Sequence, residues 1–210
     1  MTSTQVDASH YQWNSYNTPE RWSSYWHQID EVLRFHPATC LVIGAGEGTV
    51  VNMMRRLGIN VSTCDVAEDL HPDFIADIRD LPLDDQSVDV VLCAQVLEHL
   101  PFSDVPQALS EIARVARVGA VVSVPQDGRL LQVSLKLPAL PRRQLVWWIP
   151  SRHRFAFDGE HYWQLGARGA GRRRFRRALE EYFSITREYP APTNPYHRFF
   201  ALTPNPKALD

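Results

Sequence analysis

Thr39-Cys40-Leu41-Val42-Ile43-Gly44-Ala45-Gly46-Glu47-Gly48-Thr49 is the stretch on which the fold turns. Its first half is a short continuous apolar run, the pattern of a parallel strand buried on both faces. Its second half places a glycine at every other position. Such a turn lets the backbone approach a ligand closely and opens the N-terminus of a helix. Val50, Met53, Met54 and Leu57 mark that helix, and Gly58 stands where a C-cap belongs. A dinucleotide-binding GxGxxG would carry Gly or Ala at position 49, for close helix–strand packing. Thr49 therefore weighs against a nicotinamide oxidoreductase.

The same alternation continues downstream. Ile59 to Cys64 reads as a second strand ending at Asp65, Phe74-Ile75-Ala76 as a third ending at Asp77, and Val88 to Ala94 as a fourth. Val105, Leu109, Ile112 and Val115 mark a helix, and Gly119 to Val124 a fifth strand stopped by Pro125. Strands alternating with helical patterns predict right-handed crossovers and an α/β, doubly wound, Rossmann-like parallel sheet. Residues 126–170 show no clean period and read as an insertion after strand five. Arg172 to Tyr182 reads as a basic helix, and Phe183–Arg187 and Arg198–Leu202 as two closing strands joined by a Pro-rich hairpin. Upstream, Thr18-Pro19-Glu20 predicts a helix start, with Thr as N-cap and Pro at the first helical position. Trp22, Trp26, Ile29 and Leu33 form one apolar stripe on that helix, read as core packing. The expected organisation is one domain over 1–210: an arm and lid helix (1–37), a cofactor-binding core (38–125), an acceptor or lid insertion (126–170), then the basic helix and closing hairpin (171–210).

Ligands of open parallel sheets bind beyond the carboxyl ends of the strands. Four features fall there: the glycine turn, Asp65, Asp77, and Gln95-Val96-Leu97-Glu98-His99. A carboxylate after strand two is placed to accept hydrogen bonds from both ribose hydroxyls, and one after strand three from an adenine amino group.

Residues 39–125 resemble the S-adenosylmethionine-binding core of class I methyltransferases, the group often called methyltransferase type 11. The resemblance is carried by Cys40 to Gly48, Cys64-Asp65, Ala76-Asp77-Ile78-Arg79-Asp80-Leu81-Pro82 and Ser87 to Leu100. It implies a seven-stranded, mostly parallel sheet with an antiparallel last strand, and S-adenosylmethionine held by Gly44, Ala45, Gly46, Gly48, Asp65, Val66, Asp77, Ile78 and Gln95. One position departs from the family pattern. Val42 stands where members usually carry Asp or Glu, two residues before the first glycine, and Glu47 is a candidate substitute. Thr18 to Trp22, Asp158 to Trp163 and Asn194 to Phe200 also resemble blocks of one subgroup of microbial methyltransferases. The expected activity is methyl transfer to a small-molecule or glycan-like, anionic acceptor. The alternatives are a non-catalytic cofactor-binding regulator, motivated by Val42, and a methyltransferase of a lipid-linked acceptor. His99 is the candidate general base, since imidazole titrates near neutrality. His153, Arg154, His161, Tyr162, Tyr196 and His197 are the acceptor-pocket candidates. A second reading of the first helix is a lid with Tyr25 or Trp26 facing the methionyl end.

Composition bounds the rest. The 210 residues carry a formal net charge of −2 and 44% hydrophobic residues, enough for one sizeable core. No apolar run reaches the ~18–20 residues a membrane helix needs. The polar start, Met1 to Tyr16, lacks a secretory signal pattern, so the cytoplasm is the default compartment. Three cysteines without a CxxC argue against a disulfide framework and against zinc. His153, Asp158, Glu160 and His161 match no strong ligand spacing, and no metal is expected. The first half of the chain is acidic and the second basic, with the cationic run Arg172, Arg173, Arg174, Arg176 and Arg177. That run fits an anionic acceptor. A pI near 6.4 disfavours a dedicated nucleic-acid binder. The apolar and basic mixture from Leu130 to Pro150 leaves peripheral membrane contact open. The oligomeric state is not legible.

Overall fold

The computed structural model describes residues 17–138, 143–149 and 155–205. Helix α1 (Pro19–Leu33) leads into β1 (Thr39–Ile43), α2 (Thr49–Arg56), β2 (Asn60–Asp65), β3 (Phe74–Ile75), β4 (Val88–Ala94), α3 (Val105–Val115) and β5 (Ala116–Pro125). After these come β6 (Arg129–Leu135), β7 (Arg143–Ile149), α4 (Arg172–Tyr182), β8 (Phe183–Pro190) and β9 (His197–Pro204). Seven strands form one sheet in the order β3-β2-β1-β4-β5-β9-β8. The strands from β3 to β5 pair in parallel, and β9 runs antiparallel to both β5 and β8.

The continuous apolar strands have a direct explanation, because each is buried on both faces. Leu41, Ile43, Val91, Cys93, Ala120, Val122 and Phe200 face one core, with α3 and α4. Cys40, Val42, Val90, Leu92, Val121 and Phe199 face the other, with α1 and α2. Successive side chains of a strand point to opposite faces, so both sets of positions must be apolar. Cys40, Cys64 and Cys93 are buried and free. Burial pushes the Cys40 and Cys64 thiols up to about 12.

Helix α1 starts as its sequence predicts, with the Thr18 hydroxyl accepting from the Arg21 amide at 3.3 Å. Its orientation is a correction. Trp22, Trp26 and Leu33 are exposed, and the buried residues are Ser24, Gln28, Glu31 and Val32. Ile29 packs against the core, and the stripe as a whole lines a surface groove with Met53 of α2 and Leu57 just after it. The inward face is polar because it has polar partners. The Asn194 amide donates to Ser24 Oγ at 3.0 Å, Tyr189 donates to Glu31 at 2.8 Å, and Arg187 pairs with Glu31.

The stretch read as lacking a period contains a second, two-stranded sheet, β6–β7. In its register Leu131 opposes Trp147 and Val133 opposes Leu145. The period of two was present in Leu131, Val133 and Leu135 and again in Leu145, Trp147 and Ile149. The basic helix is also re-read. Arg172 and Arg176 pair with Glu188, which Arg198 reaches from β9 at 2.9 Å. Arg174 donates to the Gly169 carbonyl and lies 4.4 Å from the centre of the Phe102 ring. Much of the cationic run therefore ties α4 to the fold.

Candidate functional site

A pocket opens at the carboxyl edge of the sheet, where β1, β2 and β4 end. Its floor is the turn after β1, with Gly44, Ala45, Gly46 and Glu47 lining it. Gly44, Gly46 and Gly48 all have positive φ, at 72°, 54° and 80°. Gly44 must be glycine for a second reason. A Cβ there would sit 2.4 Å from Cγ2 of Val96. Gly48 caps α2 and shapes the turn without lining the pocket.

Asp65 and Val66 border the pocket at the end of β2, and Asp77 and Ile78 border it beyond β3. Burial raises the Asp65 carboxyl above its ordinary range, against the Ala67 and Val66 amides that pull it down. Its Oδ1 accepts from the Ala67 amide at 3.0 Å. A desolvated carboxylate at a strand end gains from further hydroxyl donors, as a ribose presents. Asp77 is more engaged than its sequence suggested. Arg79 donates to both of its oxygens, at 2.9 and 2.7 Å, and reaches Asp104 at 2.6 Å. Both carboxylates hold the Arg79 guanidinium in its charged form, the Asp77 hydrogen bond most strongly. Sequence reasoning missed this clamp because Asp104 is 25 residues away.

Gln95 follows β4 with φ of 58°, a strained region for a side chain. Two bonds to Ser123 hold it there, amide to carbonyl at 2.9 Å and Nε2 to Oγ at 3.1 Å. Apolar walls come from Val42, Ile43, Leu92, Ile78, Val96 and Leu100, a surface suited to a flat heterocycle. Helix α1 contributes Arg21, Ser24, Tyr25 and Gln28 to the rim, none of which its apolar stripe pointed to. Of the two aromatic residues considered for the lid, Tyr25 borders the pocket and Trp26 does not. Tyr25 donates to Glu47 Oε1 at 3.4 Å, and Thr49 donates to the same oxygen at 3.0 Å. Val42 leaves the strand without an acid, and Glu47 brings one to the same turn.

His99 lines the pocket. Its Nδ1 lies 3.0 Å from the Glu160 carbonyl, and its ring meets His161 edge-on at 5.0 Å. Burial, then the neighbouring His161, lowers its pKa. Among the acceptor candidates, His197 lines the pocket and is buried. Burial drives its pKa down to about 3, with Arg21 adding to the shift, so it is neutral. His161, Tyr162 and Tyr196 do not line this pocket. Tyr196 Oη accepts from Gln164 Nε2 at 2.9 Å, and the Tyr162 amide donates to the Glu98 carbonyl at 2.8 Å. His153 and Arg154 lie outside the described residues.

A doubly wound parallel sheet closed by an antiparallel strand pair, with its pocket at a glycine turn, is a fold that solved methyltransferases share. Residues 41–124 match the family described as methyltransferase domain. Malonyl-[acyl-carrier protein] O-methyltransferase of Serratia marcescens is 32% identical over 98 residues, 41% of this chain and 38% of that protein. The chain thus spans about two fifths of the length of the curated relative it matches. A solved protein of Pyrococcus horikoshii OT3 superposes with a TM-score of 0.61 at 14% identity, covering 90% of this chain and 93% of that one. The N-methyltransferase NodS of Bradyrhizobium japonicum WM9, solved with S-adenosyl-L-homocysteine, gives 0.59 at 11% identity and 91% of each chain. No helix among the described residues is long and apolar enough to cross a membrane.

Proposed function

We propose that the chain is an S-adenosylmethionine-dependent methyltransferase acting on a small-molecule or glycan-like acceptor. The observation that carries this reading is the pocket, in which the glycine turn, Asp65 and Asp77 meet within the matched residues 41–124. S-adenosylmethionine supplies an electrophilic methyl group on a sulfonium that leaves neutral. The chain's own residues do the rest. Asp65 accepts from the ribose hydroxyls. Ile78 and the Arg79-clamped Asp77 form the adenine side, with Val66 beside it. Gly44, Ala45 and Gly46 let the backbone approach the methionyl end, where Glu47 serves in place of the acid missing at Val42. Gln95 and helix α1 complete the wall and shield the reaction from water. Holding donor and acceptor in line supplies up to ~7–11 kcal/mol in favourable cases. His99 is the group that would take a proton from an acceptor hydroxyl, a contribution of ~10²–10⁴-fold. His197, buried and neutral, lines the acceptor side.

Titration calorimetry with S-adenosylmethionine and S-adenosylhomocysteine tests the reading. Binding of both, with transfer of a labelled methyl into an extract fraction, supports it. Binding without any transfer favours the non-catalytic regulator, and no binding overturns both.

One observation favours a lipid-linked acceptor as the second reading. Leu131, Val133, Leu135, Leu145, Trp147 and Ile149 are all exposed on the β6–β7 ribbon, with Arg129, Lys136 and Arg143 around them. Exposed apolar patches of this kind mark interaction surfaces. Flotation with anionic vesicles, lost in Leu131→Ser/Trp147→Ser, would support it, and failure of the native chain to float would dismiss it.

A further inference from the structure

We propose that Glu98, His99 and His161 form a binding site for one first-row divalent cation, Zn²⁺ or Mn²⁺, beside the pocket. Their ligand atoms all lie within 4.8 Å of one another. Ligands of a cation at ~2.0–2.2 Å sit roughly 3–4 Å apart, so a small side-chain rotation closes the set. One carboxylate with two imidazoles is a donor set that binds such cations and leaves coordination positions open.

Glu98 carries the argument. It is fully buried, on the short turn Leu97–His99, and neither of its carboxylate oxygens has a hydrogen-bond partner. A buried carboxyl is paired, coordinates a metal or stays protonated, because an unpaired buried charge costs several kcal/mol. The surroundings of the histidines make the second argument. His99 Nδ1 lies 3.0 Å from the Glu160 carbonyl, an outer contact of the kind that orients a ligating imidazole. His161 sits in a loop shaped by Asp158, whose Oδ1 accepts from the Glu160 amide at 3.0 Å and the His161 amide at 2.7 Å. Trp163 Nε1 pins the end of that loop to the Leu100 carbonyl at 3.0 Å. A loop tied down at both ends thus brings the third ligand to a buried, orphaned carboxylate.

The site deepens the methyltransferase reading and rests on it for its role. His99 borders the pocket, so a cation held by it would stand next to the space an acceptor would occupy. The cation would hold a hydroxylate or carboxylate acceptor and stabilise its charge, while His99 gives its lone pair to the cation and no longer serves as the base. The two roles of His99 exclude each other.

The test uses the full chain, free of any affinity tag and stripped with chelator. Zn²⁺ and then Mn²⁺ are titrated in competition with a chromophoric chelator. One cation per chain is expected. Removing an outer contact already costs ~10–100-fold in metal affinity, so His161→Ala and Glu98→Gln should each cost about 100-fold or more. S-adenosylmethionine affinity of His161→Ala should stay within about twofold of native. No binding by the native chain, or native affinity in His161→Ala, overturns the site. His161→Ala decides the matter if Glu98→Gln does not fold. Cation binding without S-adenosylmethionine binding would keep the site and sink the methyltransferase reading.

Discussion

Replacing Gly44 with alanine tests whether the glycine turn is held by steric necessity. Two costs add. An L-residue forced into left-handed backbone pays about 1–2 kcal/mol, and Gly44 has φ of 72°. The new methyl would lie 2.4 Å from Val96 Cγ2, far inside the ~3.5–4.0 Å of a normal carbon contact. Val96 is packed against the core, and overpacking of this sort costs about 1–3 kcal/mol. The sum is about 2–5 kcal/mol, which for a chain of this size lowers Tm by roughly 4–20 °C. Thermal unfolding followed by circular dichroism reads the shift. A double-mutant cycle with Val96→Ala separates the terms. Removing Cγ2 should leave only the backbone cost, giving a favourable coupling of about 1–3 kcal/mol. A Tm within 2 °C of native, or additive costs in the double mutant, would refute the contact as the reason for glycine here.

Three further outcomes are expected. Asp65→Asn should weaken S-adenosylmethionine binding by roughly 10–100-fold in calorimetry, the loss of charged hydrogen bonds worth about 1.5–3 kcal/mol. Because burial raises the Asp65 carboxyl, native affinity should start to fall at a higher pH than an ordinary carboxylate would dictate, and Asp65→Asn should lack that limb. His197 gives a stability test. The unfolded chain takes its proton near pH 6.5, and the folded chain refuses it until about 3. Between those values the unfolded state holds more protons, so stability drops as pH falls. From pH 6.5 to 4.5 that is about 2–3 kcal/mol, read by urea unfolding, and His197→Gln should flatten the limb. Glu188→Gln should cost about 3–5 kcal/mol, because it breaks the buried pair with Arg198 and releases Arg172 and Arg176. A loss under 1 kcal/mol would mean those arginines are held by something else.

The parts legible in the sequence share one property, that their cause is local. β1, β4 and the glycine turn announce themselves because a strand buried on both faces must be apolar throughout. A turn in left-handed backbone needs glycine whatever surrounds it. Asp65 and Asp77 could be placed for the same reason, as the point where a strand runs out lies at the sheet's carboxyl edge. What tertiary structure alone decided is which partners those residues meet. The α1 stripe misled because helical period shows that a face is apolar but not which face the sheet takes. Ser24, Gln28 and Glu31 turned inward since Asn194, Tyr189 and Arg187 wait there. Arg172 and Arg176 looked like a ligand surface until β8 brought Glu188 to them. Glu98 and His161, 63 positions apart in the chain, meet only after the segment behind β7 folds back over the turn following β4. Chain separation carries no record of such a closure, because it is set by packing between elements and not by any residue's neighbours.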